Sequence, residues 1–430
     1  METENKTPEK ITILVPEKEI KDACLIMEKT NRRFDDFFPF YKNPENISNE
    51  EYFDILCKKK LTEKFGNEIT QEVLERYEKE KNTIINMNVH DIFLHYADII
   101  EWANNNNITL GLGRGSAVGS LICYILGITN VNPFTYNLIF ERFMNQEFIY
   151  FPDIEFDVAE SDKEKLTEYI LEKYGREHCA IGCEMSFPPD MEDNTVSMKT
   201  KIYVLSKPIK EYSTLGKLSE TLFISLKTAS DYEFGLKFKI HSSKSLEIIK
   251  KSGKDISQIP LDYQEVINSL KEKMKCDIFE RIKPTGIDDL AHIFQTERDE
   301  LIKAGVTDEF IKAKYSENRE YYSDLLKPVL KETFGEIIWQ EQIIQILNIV
   351  GDFSLSHADS IRRLMFKNKW ETLSKDEETF IAKAEEKGIK YIKAKELWDK
   401  MCAISPFCYC KAHAIAFVLS EYYTAYVQNV

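Results

Sequence analysis

Two short runs in this chain hold the residue types that phosphate chemistry needs. Gly111-Leu112-Gly113-Arg114-Gly115-Ser116-Ala117-Val118-Gly119-Ser120 is rich in glycine and carries one arginine. Glycines let backbone N–H groups approach an anion, and a helix start behind them adds donors. Arg114 contributes a planar donor fork matched to phosphate oxygens. Small residues at a helix start also serve close packing, so this run alone leaves both readings open. The second run is Pro152-Asp153-Ile154-Glu155-Phe156-Asp157. Strand side chains alternate between faces, which puts Asp153, Glu155 and Asp157 on one and Ile154 and Phe156 on the other. Three acids on one face repel unless a cation lies among them, and oxygen ligands suit magnesium. Two such ions about 3.5–4 Å apart would clamp the attacking and leaving oxygens of a phosphoryl transfer. The plain alternative is a solvated strand edge.

A third run is helical, His357-Ala358-Asp359-Ser360-Ile361-Arg362-Arg363 with Lys367 and Lys369 beyond it. Arg362 lies three residues from Asp359, which fits a surface ion pair as well as a triphosphate-binding face. Lys411 and His413 at the start of the last helix could extend that basic face. Cys402, Cys408, Cys410 and His413 could in principle close a zinc site, but their spacing matches no common zinc pattern and the segment reads as a buried helix start. The nine cysteines read as reduced thiols.

These residues need elements to hold them. Apolar periodicity predicts helices over Ala23–Glu28, Glu51–Phe65, Glu72–Ile85 and Val89–Ala103, then a strand at Ile108–Leu110. Next come a helix from Ser116 to Leu126, a short helix over Tyr136–Met144 and a strand over Phe148–Val158. Lys163–Tyr174 reads as an amphipathic helix stopping at Gly175. The pattern then turns to β, with strands at Lys201–Leu205, Thr221–Leu226 and Glu233–Ile240. Helices return over Phe334–Gly351, His357–Lys369, Lys375–Lys387, Lys393–Cys402 and His413–Val430. A chain of 430 residues implies two or three domains. The net charge of −15 argues against a protein that coats nucleic acid over its whole surface. Charge is uneven, however, since residues 199–254 hold 12 Lys against 5 Asp and Glu. No apolar run reaches the roughly 18 residues that span a bilayer. The charged N-terminus lacks a signal core, so a cytoplasmic protein with no membrane partner is expected.

The three runs, in this order, resemble the α (catalytic) subunit of bacterial DNA polymerase III, the C-family replicases. Leu110–Ser120 is similar to that family's GPGRGSGAGS segment, and Ile128–Asn145 to its ITDLDP…LLFERFLNP stretch. Pro152–Val158 resembles its PDxDxDF metal strand. Leu326–Gln342 and His357–Lys369 resemble its fingers, and Tyr409–Tyr426 resembles its FNKSHSAAYAL helix and the residues just after it. The likeness runs from about Ala23 to Val430. It implies an α+β chain built on a palm related to the polymerase β nucleotidyltransferases, with helical N-terminal and fingers regions and a reduced thumb. The implied division is a helical N-terminal region over 1–105, the palm with its reduced thumb insertion over 106–260, and helical fingers over 261–430.

By motif position, the resemblance makes Asp153 and Glu155 the catalytic carboxylates. Asp153, Glu155 and Asp157 are the candidate ligands of Mg2+ in a two-metal site, with Mn2+ as the other candidate ion. Gly113, Arg114, Ser116, Arg142, Lys237, Arg362, Arg363, Lys411 and His413 would contact the nucleotide and its phosphates. Two departures stand out. Glu155 replaces an aspartate, and the KFDFLGL segment with the third catalytic Asp aligns on Lys237-Phe238-Lys239-Ile240, putting Lys239 in its place. Asp157, or Glu233 after a shift of alignment, could supply the missing carboxylate. The stretch from Ser186 to Lys237 is short for a duplex-gripping thumb. PHP, clamp-binding and OB-fold regions are not expected, so synthesis should be non-processive.

The resemblance therefore implies metal-dependent addition of nucleotides to a nucleic-acid 3′ end. The expected partners are a nucleoside triphosphate, a DNA primer-template or single-stranded nucleic acid, and a protein supplying what thumb and clamp-binding regions would. The alternatives are a degenerate pseudo-polymerase that binds nucleotide or DNA as a regulatory or assembly subunit, and untemplated transfer to a nucleic-acid or protein acceptor.

Overall fold

A computed structural model of the protein describes residues 38–147, 151–186, 197–208, 216–218, 221–223, 235–317 and 321–430. Among them the chain is α+β, mostly helical with a small mixed sheet. It divides into two units. One comprises 1–41 and 164–241, the other 42–163 and 242–430.

The larger unit opens with three helices, α1 (Asn49–Phe65), α2 (Gln71–Asn86) and α3 (His90–Asn105). Ser48 and Thr70 stop the preceding chain and cap α1 and α2, their hydroxyls accepting the N–H groups of Glu51 and Val73. In α1 the buried residues Phe53, Cys57 and Leu61 recur every four positions, one stripe facing inward. In α3 Ile92 to Ala97 are buried without a gap, as expected of a helix enclosed on most sides. The Phe53 and Phe93 rings meet at 6.1 Å.

The glycine run comes next as a five-residue 3-10 turn, Gly115–Gly119, and a short helix α4 (Leu121–Ile125). The expected helix from Ser116 is interrupted because Ser120 is extended (φ −98°, ψ 127°) and caps α4 with its own hydroxyl. Tyr136–Met144 is not a helix but a series of turns, with Asn137 in the left-handed region at φ +52°. Strand β1 covers Glu155–Ala159. Residues 151–154 of the longer strand expected there are irregular, and 148–150 lie outside the described residues. Helix α5 (Lys163–Tyr174) matches its expected span.

The smaller unit packs α5 on a sheet of β2 (Cys179–Ser186), β3 (Ser197–Val204), β4 (Gly216–Leu218), β5 (Thr221–Phe223) and β6 (Leu236–Ser243). Its strands run in the order β6-β3-β2-β5-β4. The ladders β6-β3, β3-β2 and β5-β4 are antiparallel, and β2-β5 is parallel. In the register of β3 with β6, Ile202 lies opposite Phe238, and Lys201 opposite Lys239. Ile202, Phe238 and Ile240 are fully buried, and Tyr174 of α5 reaches the Phe238 ring at 5.8 Å. Each such side chain stabilises the fold by about 1.5–3 kcal/mol. Gly235 enters β6 at φ +68°, where a Cβ would lie 2.5 Å from the Val204 carbonyl oxygen. The Ala23–Glu28 helix and Glu233 lie outside the described residues.

The rest of the larger unit is helical. It comprises α6 (Lys244–Ser252), α7 (Gln264–Ser269), α8 (Cys276–Ile282), α9 (Ile287–Thr296), α10 (Asp299–Lys303) and α11 (Val306–Lys314). Beyond these lie α12 (Lys327–Leu330), α13 (Gln340–Gly351), α14 (Leu355–Phe366), α15 (Ser374–Glu386), α16 (Tyr391–Ile404) and α17 (Lys411–Asn429). Helix α13 starts six residues later than its apolar pattern suggests because Phe334 and Gly335 both have positive φ. One core gathers α13 to α16 around Ile344, Leu347, Phe380 and Trp398. A second surrounds α17, where Ala412, Ala414, Ala416 and Ala425 are small enough to admit Leu112, Val118 and Trp339 closely. No described helix is long and apolar enough to cross a membrane.

Candidate active site

The glycine run and the carboxylate strand are adjacent. The Gly111 N–H donates to the Asp157 carbonyl at 2.9 Å, the Ala159 N–H to the Thr109 carbonyl at 3.0 Å, and Leu110 bridges Val158 antiparallel. A Cβ on Gly111 would lie 2.9 Å from that of Asp157, so only glycine allows this approach. Gly113 turns at φ +104°, its Cα side filled by Thr129 at 2.6 Å from an added Cβ. Around β1 the alternation holds. Ile154, Phe156 and Val158 are buried, Asp153 is exposed, and Glu155 and Asp157 are half-buried. Tyr96 of α3 anchors the buried side, donating to the Ile154 carbonyl at 2.9 Å and meeting Phe156 edge-on at 6.0 Å. Burial raises the Tyr96 pKa well above its ordinary value, and the charges of Asp153 and Glu155 add to that.

A cation does lie among the acids, and it is Arg114. Its Nη1 donates to Asp157 Oδ1 at 2.9 Å and its Nε lies 3.8 Å from Glu155 Oε2. Arg114 therefore offsets the repulsion between two of the three carboxylates, and Asp157, expected as a metal ligand, has a guanidinium partner instead. Among the described residues no three His, Cys, Asp or Glu side chains converge to hold a metal ion. The same holds for the cysteine cluster. Cys402, Cys408 and Cys410 are buried thiols, and burial pushes Cys402 and Cys410 up to about 12. Asp153 and Glu155 nonetheless form an oxygen-only donor pair suited to Mg2+, which commonly takes one or two carboxylates together with substrate phosphates.

The start of α4 is closed to a ligand. Glu80 of α2, fully buried, accepts the N–H groups of Leu121 and Ile122 at 3.0 Å each and the Ser120 hydroxyl at 2.7 Å. Arg76 neutralises it through a 2.5 Å bond and donates to the Gly119 carbonyl at 2.7 Å. The helix-start donors expected to meet phosphate thus meet a carboxylate of the chain itself. In the turn before α4, Gly113 is buried and Arg114, Gly115 and Ser116 are half-buried.

The last helix begins in the same way. Glu341 of α13, 2% exposed, accepts the N–H groups of Lys411 at 2.9 Å and Ala412 at 3.2 Å. Lys411 is 4% exposed, and its Nζ donates to the Tyr136 carbonyl and to Glu332, both at 2.7 Å. Burial raises the Glu332 carboxyl above its usual range, with Lys411 pulling the other way. Lys411, expected on the nucleotide surface, is instead an internal strut. Arg362 is a second correction. It is 3% exposed and donates from Nε to the fully buried Asp359 at 2.8 Å, so the 359/362 pair is internal rather than superficial. Burial lowers the Arg362 pKa from its ordinary value, with Asp359 opposing. Arg363 shares Asp359 at 2.7 Å and keeps about a third of its side chain exposed, while Asn145 donates to the same carboxylate at 3.1 Å.

His413 meets the glycine run directly. Its Nδ1 accepts the Gly115 N–H at 2.8 Å, so the neutral ring carries its proton on Nε2. His413 also lines a cavity of about 240 Å³ with Gly111, Arg114, Asp157, Lys244 and Phe417. Arg142 donates to Gln340 at 2.7 Å, and Gln340 donates to the Cys408 carbonyl at 2.9 Å. Lys237 and Lys239 belong to the smaller unit, where Lys237 Nζ lies 5.9 Å from the Tyr203 ring centroid. Sequence reasoning missed Arg76, Glu80 and Glu341. The i, i+4 spacing of Arg76 and Glu80 was a usable signal for their pairing, but nothing local marked their distant partners.

His357 ties two segments together. Its Nδ1 lies 3.1 Å from Glu147 and its Nε2 3.0 Å from Asp376, so both ring nitrogens face carboxylates. Partial burial alone would lower its pKa, but the bonds to Asp376 and Glu147 outweigh that and raise it. A raised folded-state pKa contributes stability that is complete below the unfolded value near 6.5 and is lost as pH climbs through the folded value. Because the group is well exposed, its contribution should not exceed about 1 kcal/mol. The expected result is a fall in the urea midpoint between pH 6 and pH 8.5 that is smaller in His357→Gln. Equal falls in both proteins would remove His357 as the cause.

A glycine turn hydrogen-bonded to a strand of alternating acids, with Arg114 between two of them, is an arrangement suited to handling phosphates. Two family models match the chain, the bacterial DNA polymerase III alpha NTPase domain over residues 51–220 and the bacterial DNA polymerase III alpha subunit finger domain over 242–388. The DNA polymerase III subunit alpha of Aquifex aeolicus is 27% identical over 96% of this chain and 46% of its own length. That of Helicobacter pylori is 27% identical over 99% and 45%, and that of Campylobacter jejuni 28% over 95% and 41%. The chain belongs to the bacterial DNA polymerase III alpha family. It spans less than half the length of these relatives.

Proposed function

We propose that this chain is a nucleotidyltransferase with a polymerase-β-like palm that adds nucleotides to a nucleic-acid 3′ end. The observation that carries this reading is the Gly111–Asp157 hydrogen bond, which sets the glycine turn against the strand that bears Glu155 and is preceded by Asp153. Those two carboxylates would hold Mg2+, or Mn2+, together with the substrate phosphates. When bound, the ion supplies Lewis-acid activation of the 3′-hydroxyl and charge neutralisation at the leaving pyrophosphate. The chain's own residues do the rest. Arg114 offsets the charge of Asp157 and Glu155 and bonds to phosphate through its remaining donors. Ser116, half-buried at the turn, would add a phosphate contact, and Gly113 would give the turn its positive φ. His413 holds that turn in place through Gly115. Arg363, more exposed than Arg362, takes phosphate charge, and Arg142 is steadied for it by Gln340.

The proposed substrates are a nucleoside triphosphate and a DNA primer-template or single strand. The Aquifex alignment extends over 533 residues against 430 in this chain, so at least about 100 aligned positions have no counterpart here. That supports a reduced thumb, short products, and reliance on a protein partner. The test is extension of a labelled primer with Mg2+ or Mn2+, with and without template. Template-dependent addition of one to a few nucleotides is expected. No incorporation with any primer or nucleotide would sink the enzymatic reading, and equal products without template would move it to untemplated transfer.

A further inference from the structure

A cleft of about 600 Å³ opens beside the start of α10, away from the carboxylate strand. Its apolar walls are Phe294 of α9, Tyr409 and Met274. The Phe294 and Tyr409 rings meet edge-on at 5.6 Å, and the Arg298 guanidinium lies 5.6 Å from the Tyr409 centroid. This platform is rigid. Arg298 Nη1 is tied to the Phe407 carbonyl at 2.9 Å, and the Tyr409 carbonyl accepts the Gln340 N–H at 2.9 Å. Glu297 sits at the floor, more than half-buried, with Oε2 accepting the Lys275 N–H at 2.8 Å. Neither Glu297 Oε1 nor the Tyr409 hydroxyl has a hydrogen-bond partner among the described residues.

The charges lining the cleft cancel. Lys273, Lys275 and Arg298 face Glu272, Glu297 and Asp299, and Lys275 is already paired with Asp299 and Lys273 with Glu421. A balanced, internally paired lining does not select a polyphosphate. An aromatic wall with a fixed guanidinium and a carboxylate in its lining suits a flat ring bearing N–H donors.

We propose that this cleft binds a nucleobase, stacked on Tyr409 with Phe294 meeting it edge-on, and with its amino or ring N–H edge donating to Glu297. The site is separate from the glycine-run cavity but joined to it by an aromatic path, since Phe294 lies 4.8 Å from Phe417 and Tyr409 lies 5.5 Å from His413. It does not depend on the polymerase reading, because it involves neither Asp153 nor a metal. The base could belong to a free nucleoside or to an unpaired position of a strand.

Titration of the full-length protein with guanosine and, separately, with a short single-stranded oligonucleotide carrying one 2-aminopurine tests this. Both are expected to bind, Tyr409→Ala should weaken each by at least about tenfold, consistent with 1–3 kcal/mol per stacked base, and Glu297→Gln should weaken guanosine by a similar factor. Tenfold tighter binding of the oligonucleotide assigns the base to a strand, and equal affinity assigns it to a free nucleoside. Tyr409→Phe, which keeps the ring, should bind normally and guards against misfolding as the cause of loss. Absence of guanosine binding, or undiminished binding in Tyr409→Ala, overturns the proposal.

Discussion

Asp153→Ala is expected to reduce metal-dependent nucleotide incorporation by about 10³-fold or more. A bound divalent ion contributes several kcal/mol to a phosphoryl-transfer transition state, and each 1.36 kcal/mol is tenfold in rate. Asp153 is exposed just ahead of β1, whereas Asp157 is half-buried and bonded to Arg114 at 2.9 Å. The two variants should therefore part company. Asp157→Ala should lose less activity and should lose it without a change in the Mg2+ concentration needed for half-maximal rate. Asp153→Ala should need far more metal, if any restores it. Steady-state incorporation over a magnesium series reads both quantities. Identical behaviour of the two variants would show that the carboxylates share one role, contrary to the geometry.

The second large effect is on stability. Glu80 is fully buried and holds two backbone N–H groups, the Ser120 hydroxyl and Arg76. Glu80→Ala removes every one of these acceptors and leaves Arg76, a side chain only 17% exposed, without its counter-ion. Breaking a buried pair in this way costs about 3–5 kcal/mol. Glu80→Gln keeps the shape and one acceptor oxygen, and should cost about 1–3 kcal/mol, the range for leaving a buried donor unsatisfied. Urea unfolding of the three proteins gives both differences. An alanine variant within 1 kcal/mol of wild type would mean that the start of α4 does not need this carboxylate.

How much of this could be read from the residues depends on the range of the forces involved. Helices α5, α14, α15 and α16 appear within a few residues of their apolar stripes because a stripe is a local pattern. The segments that failed share another cause. Tyr136–Met144 and the start of α13 carry suitable apolar residues but are broken by single left-handed positions, Asn137 and Phe334. Only Gly335 announces such a break by its type. At the candidate site, the alternation of Asp153 to Asp157 and the need for glycine at 111 were legible, since both are properties of one strand and its neighbour. The burial of Arg362 and Lys411 was not. A charged residue looks the same in sequence whether it faces water or an internal carboxylate, and the partners Glu332 and Glu341 lie 79 and 70 residues from Lys411. The resemblance to the replicase family carried the assignment across those gaps. It could not say that the helix-start donors of the glycine run are consumed by Glu80.

The bond from Gly115 to His413 joins residues 298 positions apart. During synthesis the turn that faces the acids leaves the ribosome long before the histidine that secures it exists. At roughly 5–20 residues per second, that interval lasts tens of seconds. The N-terminal helices can assemble in that time, with Glu80 already seated on Ser120. Competence of the turn must wait for α17 to dock, so a stalled or prematurely terminated chain carries every strand acid and still lacks the contact that orders the loop beside them.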